Sequence, residues 1–339
     1  MASTEAQARP GVLVTGGAGY IGSHAVLALH DRGAPVVVLD DLSTGFREAV
    51  PEDVAFFAGK VSDAGLLGHI LEAHRIGAVL HFAGSISVPE SVAEPAKYYA
   101  NNTAASLSLA KSCIEGGVGR FIFSSTASVY GAAPVSPIRE DAPQAPISPY
   151  GASKLMTETI LRDLSRAHPT FKVLVLRYFN VGGADPKGRA GQRNPGAAGL
   201  IRLAMETALG RREVLDITGD DFETRDGTGE RDYIHVTDLA EAHLAGLDYL
   251  AGGGEGTTLN CGYGRGFTVK ELLATLETVL GRSVASRIAP RRPGDPASLV
   301  SDVSRLRATL DWRPRLDDLG TILKTAYDWQ AHMGGAQRA

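Results

Sequence analysis

Cysteine is scarce in this 339-residue chain. Cys113 and Cys261 stand alone, far apart and outside any CxxC or Cys/His cluster. That excludes a disulfide framework and a structural zinc site, so no metal is expected; Cys113, set in an apolar helical pattern, reads as a buried thiol. Long apolar runs are missing too: none reaches the ~18 residues that a membrane span requires. The first ten residues, Met1 to Pro10, hold no hydrophobic stretch of the kind a signal peptide carries. They read as a loose tail, and the expected compartment is the cytoplasm. Nor does one sign of charge dominate: a net charge of −4 gives no electrostatic case for nucleic acid or an anionic membrane as partner. Internal repeats and long low-complexity tracts are absent. What remains is a globular composition, 44% hydrophobic and 21% charged, long enough for one large domain and a smaller companion.

Glycine, by contrast, is abundant at 40 residues, and its placement punctuates the chain. Short β-branched runs predict strands at Gly11–Gly16, Pro35–Asp40, Val54–Ala58, Ala78–Phe82, Arg120–Ser124 and Lys172–Arg177. Helical spacing falls between them, at Tyr20–Arg32, Leu66–Arg75, Tyr98–Glu115 and Pro149–Ala167. Alternation at this period implies right-handed βαβ units and a doubly wound parallel sheet covered on both faces, a Rossmann fold, over residues 11–180. The rhythm then breaks. Residues 183–231 are rich in Gly, Arg and Asp, with one helix near Leu200–Leu209. A strand at Tyr233–Val236 and a helix at Asp238–Leu250 could return to the first domain, and a helix at Thr268–Leu280 and a basic segment at Arg287–Arg292 follow.

The first strand runs into Thr15-Gly16-Gly17-Ala18-Gly19-Tyr20-Ile21-Gly22. Glycines at 16, 19 and 22 allow a sharp turn, close approach to a pyrophosphate, and tight seating of the helix. The helix start then offers free N–H groups and a positive dipole end to the phosphates. Asp40 closes the second strand about 20 residues on, where a carboxylate accepts from both ribose hydroxyls and repels a 2′-phosphate. The cofactor is therefore expected to be NAD rather than NADP.

A second constellation starts a helix: Ser148 caps it, Pro149 suits its first turn, and Tyr150 and Lys154 share one face four residues apart. A phenol with pKa near 10 is a poor base at neutral pH, but a lysine ammonium and a positive nicotinamide ring both favour the phenolate. Ser124, Ser125 and Thr126 end the preceding strand, where hydroxyls face the ligand crevice of a parallel sheet.

These segments resemble the extended short-chain dehydrogenase/reductase family, and within it the nucleotide-sugar 4-epimerases. The resemblance is carried by TGGAGYIGSH (15–24), LDDLSTG (39–45), HFAGS (81–85), FIFSSTASVYG (121–131), SPYGASK (148–154), LRYFNVGGA (176–184), DGTGERDYIHVTDLA (226–240) and RRPGDP (291–296), and extends over nearly all of 11–330. It implies an NAD-dependent, reversible inversion at C4 of a UDP-hexose, UDP-galactose/UDP-glucose, through a 4-keto intermediate. Tyr150, Lys154 and Thr126 would be catalytic. Gly16, Gly19, Tyr20, Ile21, Gly22, Asp40, Asp41, Ser43, Thr44, Gly45, Phe82, Ala83, Gly84, Asn101, Ser124 and Tyr178 would hold NAD with Tyr150 and Lys154. The UDP-sugar would meet Thr126, Asn180, Leu200, Arg231, Arg292, Asp295 and Leu299. The resemblance also implies a smaller α+β nucleotide-sugar-binding domain over 181–231 and 263–339, with 232–262 returning to the first. It further implies a homodimer through helices near 98–115 and 150–166, on faces that include Leu107, Ala110, Leu155 and Ile160.

Four positions depart from the family pattern. Lys60 stands where an Asp accepts from the adenine amino group, and Ile86 where some members place a Lys. Gly199 replaces an Asn or His beside the diphosphate, and Leu299 replaces a bulky Tyr that excludes N-acetylated sugars, so UDP-N-acetylhexosamines enter the expected range. A UDP-pentose (xylose/arabinose) 4-epimerase uses the same chemistry. A dehydratase would need an Asp-Glu pair after Thr126, where Ala127 and Ser128 stand, and an NAD-sensing regulatory protein would lack the Tyr–Lys pair.

Overall fold

The structure, a computed structural model, describes residues 10–336 apart from 134, 197, 198 and 293. The expected tail at Met1–Pro10, Pro10 excepted, and Pro293 of the RRPGDP motif lie outside the described residues.

The first half folds into β1 (Gly11–Thr15), α1 (Tyr20–Asp31), β2 (Val36–Asp40), β3 (Ala55–Ala58), α2 (Ala64–Ala73), β4 (Ile76–His81), α3 (Val88–Ala93), α4 (Pro95–Tyr98), α5 (Ala105–Glu115), β5 (Arg120–Thr126), α6 (Pro149–Ala167) and β6 (Lys172–Tyr178). The second half adds β7 (Asn180–Gly182), α7 (Leu200–Ala208), β8 (Leu215–Thr218), β9 (Glu230–His235), α8 (Val236–Ala251) and β10 (Thr257–Cys261). It ends with β11 (Gly266–Thr268), α9 (Val269–Leu280), β12 (Ser286–Ala289), β13 (Ser298–Leu299), α10 (Ser304–Thr309) and α11 (Leu319–Ala336). The single helix expected at Tyr98–Glu115 is instead α4 and α5 joined by a π-helical turn at Tyr99–Ala104.

Seven strands pair in parallel in the order β10-β6-β5-β4-β1-β2-β3. Successive side chains along a strand point to opposite faces, and both faces are covered. Leu13, Val37, Leu39, Val79, Phe121 and Val173 meet α2, α5 and α6 on one side. Val14, Val38, Leu80, Ile122 and Leu174 meet α1 and α8 on the other. Beyond this sheet, β9 pairs with β7, β11 and β13, and β8 pairs with β12. Ile201, Leu215, Leu272 and Leu323 from this second region join the core that holds Val14 and Val38, so one apolar mass runs beneath both.

The chain order reverses direction between β1 and β4, and that break opens a crevice at the carboxyl ends of the strands. The crevice positions everything that follows.

Candidate active site

The glycine turn fits a dinucleotide by exclusion of side chains. Gly16 has φ +70°, and a Cβ there would lie 2.6 Å from the Ala83 amide nitrogen. A Cβ on Gly22 would lie 2.1 Å from the Gly16 carbonyl oxygen. Gly19 is the N-cap of α1, and no side chain caps that helix, so the N–H groups of Tyr20, Ile21 and Gly22 face the crevice from the positive end of the dipole. Asp40, nearly buried, accepts from the Ala18 amide at 2.9 Å and the Leu42 amide at 2.8 Å. Burial pushes its carboxyl up, and those two N–H groups oppose the rise. Gly45 packs against Ala18 and the Asp40 carboxylate. Asp41 accepts from the Ser43 amide and hydroxyl at the surface, with Thr44 exposed beside it.

Tyr150 and Lys154 are delivered by α6. Ser148 Oγ accepts from the Gly151 amide at 3.2 Å, Pro149 opens the first turn, and Gly151 sits against the Ser128 carbonyl. β5 continues two residues beyond its expected end, and this brings Ser124, Ser125 and Thr126 into one strand. Lys154, 4% exposed, donates to the Ser124 carbonyl at 3.0 Å and lies 4.9 Å from the Phe123 ring centre. Burial lowers its pKa to about 8, against the raising influence of Glu158. Burial raises the Tyr150 phenol, and the neighbouring Thr126 hydroxyl opposes that rise. The expectation that Lys154 acidifies the phenol thus meets a protein in which the ammonium is turned to a backbone carbonyl. Ser124 Oγ and the Tyr178 hydroxyl share a hydrogen bond of 2.8 Å.

Phe82, Ala83 and Gly84 follow β4 directly and are half-buried. The Phe82 ring lies tilted against His243 with centres 4.6 Å apart, and a Cβ on Gly84 would lie 3.7 Å from Lys154 Nζ. Asn180, Leu200 and Gly199 line a cavity of about 80 Å³ with Tyr20, Tyr233 and Trp329. Tyr20 reaches this side because its hydroxyl donates to the Gly183 carbonyl at 2.7 Å. Arg231 and Asp295 are paired at 3.2 Å, and Leu299 in β13 lies opposite Arg231 of β9. Arg292 is exposed, as are Lys60 and Ile86.

Asn101 is exposed and donates to Ser85 Oγ at 2.9 Å. Its neighbour Asn102, buried and absent from the sequence expectations, has the larger role. Its oxygen accepts from the Ser85 amide at 2.7 Å, and its nitrogen donates to the Ser85 carbonyl and to Ser153 Oγ, both at 3.0 Å. Asn102 therefore ties the loop after β4 to the helix of Tyr150 and Lys154. His81 completes the support: its ring lies 2.7 Å from both Thr15 Oγ1 and Ser106 Oγ. Burial, helped by Lys154, lowers its pKa to about 3 and keeps it neutral. Nothing in a row of Asn-Asn-Thr says which residue turns inward; the π-helical turn decides it.

Among the described residues no His/Cys/Asp/Glu group could hold a metal ion, and no helix is long and apolar enough to cross a membrane. The glycine turn, uncapped helix and acid at the end of β2 suit a dinucleotide, and the buried phenol and ammonium suit proton and hydride chemistry beside it.

Comparison with known proteins agrees. A UDP-glucose 4-epimerase of Azospirillum brasilense is 54% identical over 323 residues, covering 95% of this chain and 92% of its own. A solved UDP-glucose-4-epimerase from Stenotrophomonas maltophila, with bound NAD and formylated UDP-arabinopyranose, superposes with a TM-score of 0.94 at 37% identity, covering 97% of this chain and all of that one. The Brucella ovis UDP-glucose 4-epimerase in complex with NAD gives a TM-score of 0.91 at 42% identity, covering 94% and 98%. Residues 12–262 match the NAD dependent epimerase/dehydratase family, and the chain belongs to that family.

Proposed function

We propose that this chain inverts the configuration at C4 of a UDP-hexose, interconverting UDP-galactose and UDP-glucose with NAD as a resident cofactor. The observation that carries the reading is the buried phenol of Tyr150 beside the Thr126 hydroxyl, one helical turn from a buried Lys154 that lies near Gly84, in a chain whose glycine turn is shaped for a dinucleotide. When bound, NAD supplies the acceptor for the C4 hydride and gives the hydride back. Tyr150 takes the proton of the 4-hydroxyl and later returns it, so no proton or electron is gained or lost overall. Thr126 bridges the hydroxyl and the phenol. Lys154 would lend its positive charge to the nascent phenolate, and Ser124 and Tyr178, hydrogen-bonded to each other, would meet the nicotinamide ring. Asn180, Leu200, Arg231, Arg292 and Asp295 are assigned to the nucleotide half, where a guanidinium suits a diphosphate. The 4-keto sugar turns over within this space before reduction on its other face.

Leu299 favours a second, broader reading. It is half-buried against the cluster of Ala127, Val129, Tyr130 and Ile138 and lacks a hydroxyphenyl group, which leaves room for an N-acetyl substituent and so admits UDP-N-acetylhexosamines. The solved UDP-Glc/GlcNAc 4-epimerase of Campylobacter jejuni is 45% identical to this chain.

We place the protein in the cytoplasm, a reading supported by two free, buried thiols. We also assign it a homodimer. Of the residues expected at the interface, Ala110 is core, Leu155 and Ile160 are half-buried, and Leu107 is exposed. Tyr99 and Met156 are exposed on the same helices and extend the apolar surface. The test of function is incubation of purified protein with UDP-galactose without added NAD: UDP-glucose must appear, and its absence with every UDP-sugar would leave a cofactor-binding protein without this chemistry.

A further inference from the structure

Lys154 has a companion one turn along α6 that the reaction leaves unused. Tyr150, Lys154 and Glu158 follow one another at intervals of four residues, and all three are buried. Glu158 is held from several sides. Arg177 of β6, itself buried, places Nε at 3.0 and 3.1 Å from the two carboxylate oxygens and Nη2 at 2.5 Å from Oε2. Ser125 Oγ donates to Oε1. Arg177 Nη1 then donates to the Tyr130 hydroxyl at 2.9 Å and the Glu140 carbonyl at 3.2 Å.

A buried ion pair is a weak source of net stability, because desolvation offsets its attraction. Its position gives this one a second role. Ser125 lies in β5 between Ser124, whose carbonyl receives Lys154, and Thr126, beside the Tyr150 phenol. Side chains alternate along a strand, so Ser125 points away from the face that Ser124 and Thr126 share, toward Glu158. One carboxylate therefore joins the helix of the base to the end of the strand it packs against.

We propose that Glu158, clamped by Arg177 and Ser125, is a positioning residue for the C4 inversion: it locks α6 to the end of β5 and sets a buried carboxylate one helical turn beyond Lys154. The inference rests on the reaction proposed above. Burial pulls Lys154 down to about 8, and Glu158 opposes that fall despite its arginine partner. Among the described residues, the histidine and tyrosines around this centre offer no negative charge at neutral pH. His81 on β4 is neutral, and burial raises Tyr150 on α6, Tyr178 on β6 and Tyr98 on α4. Around Glu158 itself stand Arg177 on β6, Tyr130 in the turn after β5, and Glu140 in the loop beyond.

The chain has eight lysines, so labelling lysine Cε with ¹³C gives a countable set of resonances, and Lys154→Arg identifies the one from Lys154. In Glu158→Gln the Lys154 titration midpoint falls by about one pH unit or more. The alkaline limb of kcat moves down with it, while KM changes little. Because Glu158→Gln strands the buried Arg177 charge, the double variant Glu158→Met with Arg177→Met is measured beside it; it removes both charges and keeps the volume. A downward shift is expected there too, smaller because the Arg177 charge has gone as well. An unchanged midpoint and an unchanged pH profile in a folded variant would overturn the proposal. A wild-type protein that turns over no UDP-hexose removes the reaction instead, and the Lys154 resonance still decides the role of Glu158.

Discussion

A phenol sealed under protein is a reluctant base, and Tyr150 is raised rather than lowered by its surroundings. Its basicity is therefore conditional on positive charge nearby, from Lys154 and, when NAD is bound, from the nicotinamide ring. Tyr150→Phe removes the proton acceptor without opening a cavity. Steady-state assays should find kcat lower by about 10²–10⁴-fold, with NAD still bound; near-full turnover would refute the assignment. Leu299→Tyr should abolish turnover of UDP-N-acetylglucosamine and spare UDP-galactose, read as the ratio of the two kcat/KM values. At this scale the sequence was legible where local rules apply. Ser148, Pro149, Tyr150 and Lys154 announce a capped helix and one shared face, and they form it. Asn102, His81 and Glu158 were not legible, because a polar residue in a helix or strand carries no mark of the neighbour it will meet across the fold.

Elements place these groups, and small residues place the elements. The seat of α1 depends on Gly22, whose Cβ would press on the Gly16 carbonyl. Gly22→Ala must push α1 off β1, at a cost of about 1–3 kcal/mol. The purified variant should melt lower and carry little NAD by absorbance; full NAD occupancy would show that the helix seat does not set the cofactor site. Strand limits explain the errors of expectation. The apolar run of β5 was expected to span Arg120–Ser124, yet hydrogen bonding to β6 continues through Thr126 opposite Tyr178. The strands β8, β12 and β13 have two to four residues each and are partly exposed, too short for any alternation to register. α11 went unseen beyond the basic segment, although its Leu319, Ile322, Leu323 and Ala326 are buried at helical spacing.

Across the whole molecule the parallel sheet was readable from periodicity, because strands buried on both faces are short apolar runs and the helices between them repeat. The β7–β9–β11–β13 arrangement was not, since it pairs strands distant in sequence. Burial on this scale also sets a pH limit. His24 and His243 are lowered to about 4, and His81 and His235 to about 3, chiefly by desolvation. Their folded pKa values lie below the unfolded value near 6.5, so the unfolded chain binds protons first as pH falls. Calorimetry should find stability constant for these groups above pH 7 and declining from about pH 6.5 toward 4; a melting temperature flat across that window would contradict their burial as neutral rings. Leu107→Glu and Met156→Glu should each shift sedimentation from dimer toward monomer if those helices pair. The central claim is that one hydride leaves C4 and returns to the opposite face while Tyr150 handles the proton. It is tested most directly with UDP-galactose deuterated at C4, in ordinary water and without added NAD. The product UDP-glucose should retain its deuterium at C4; exchange of that label for solvent hydrogen would contradict the mechanism.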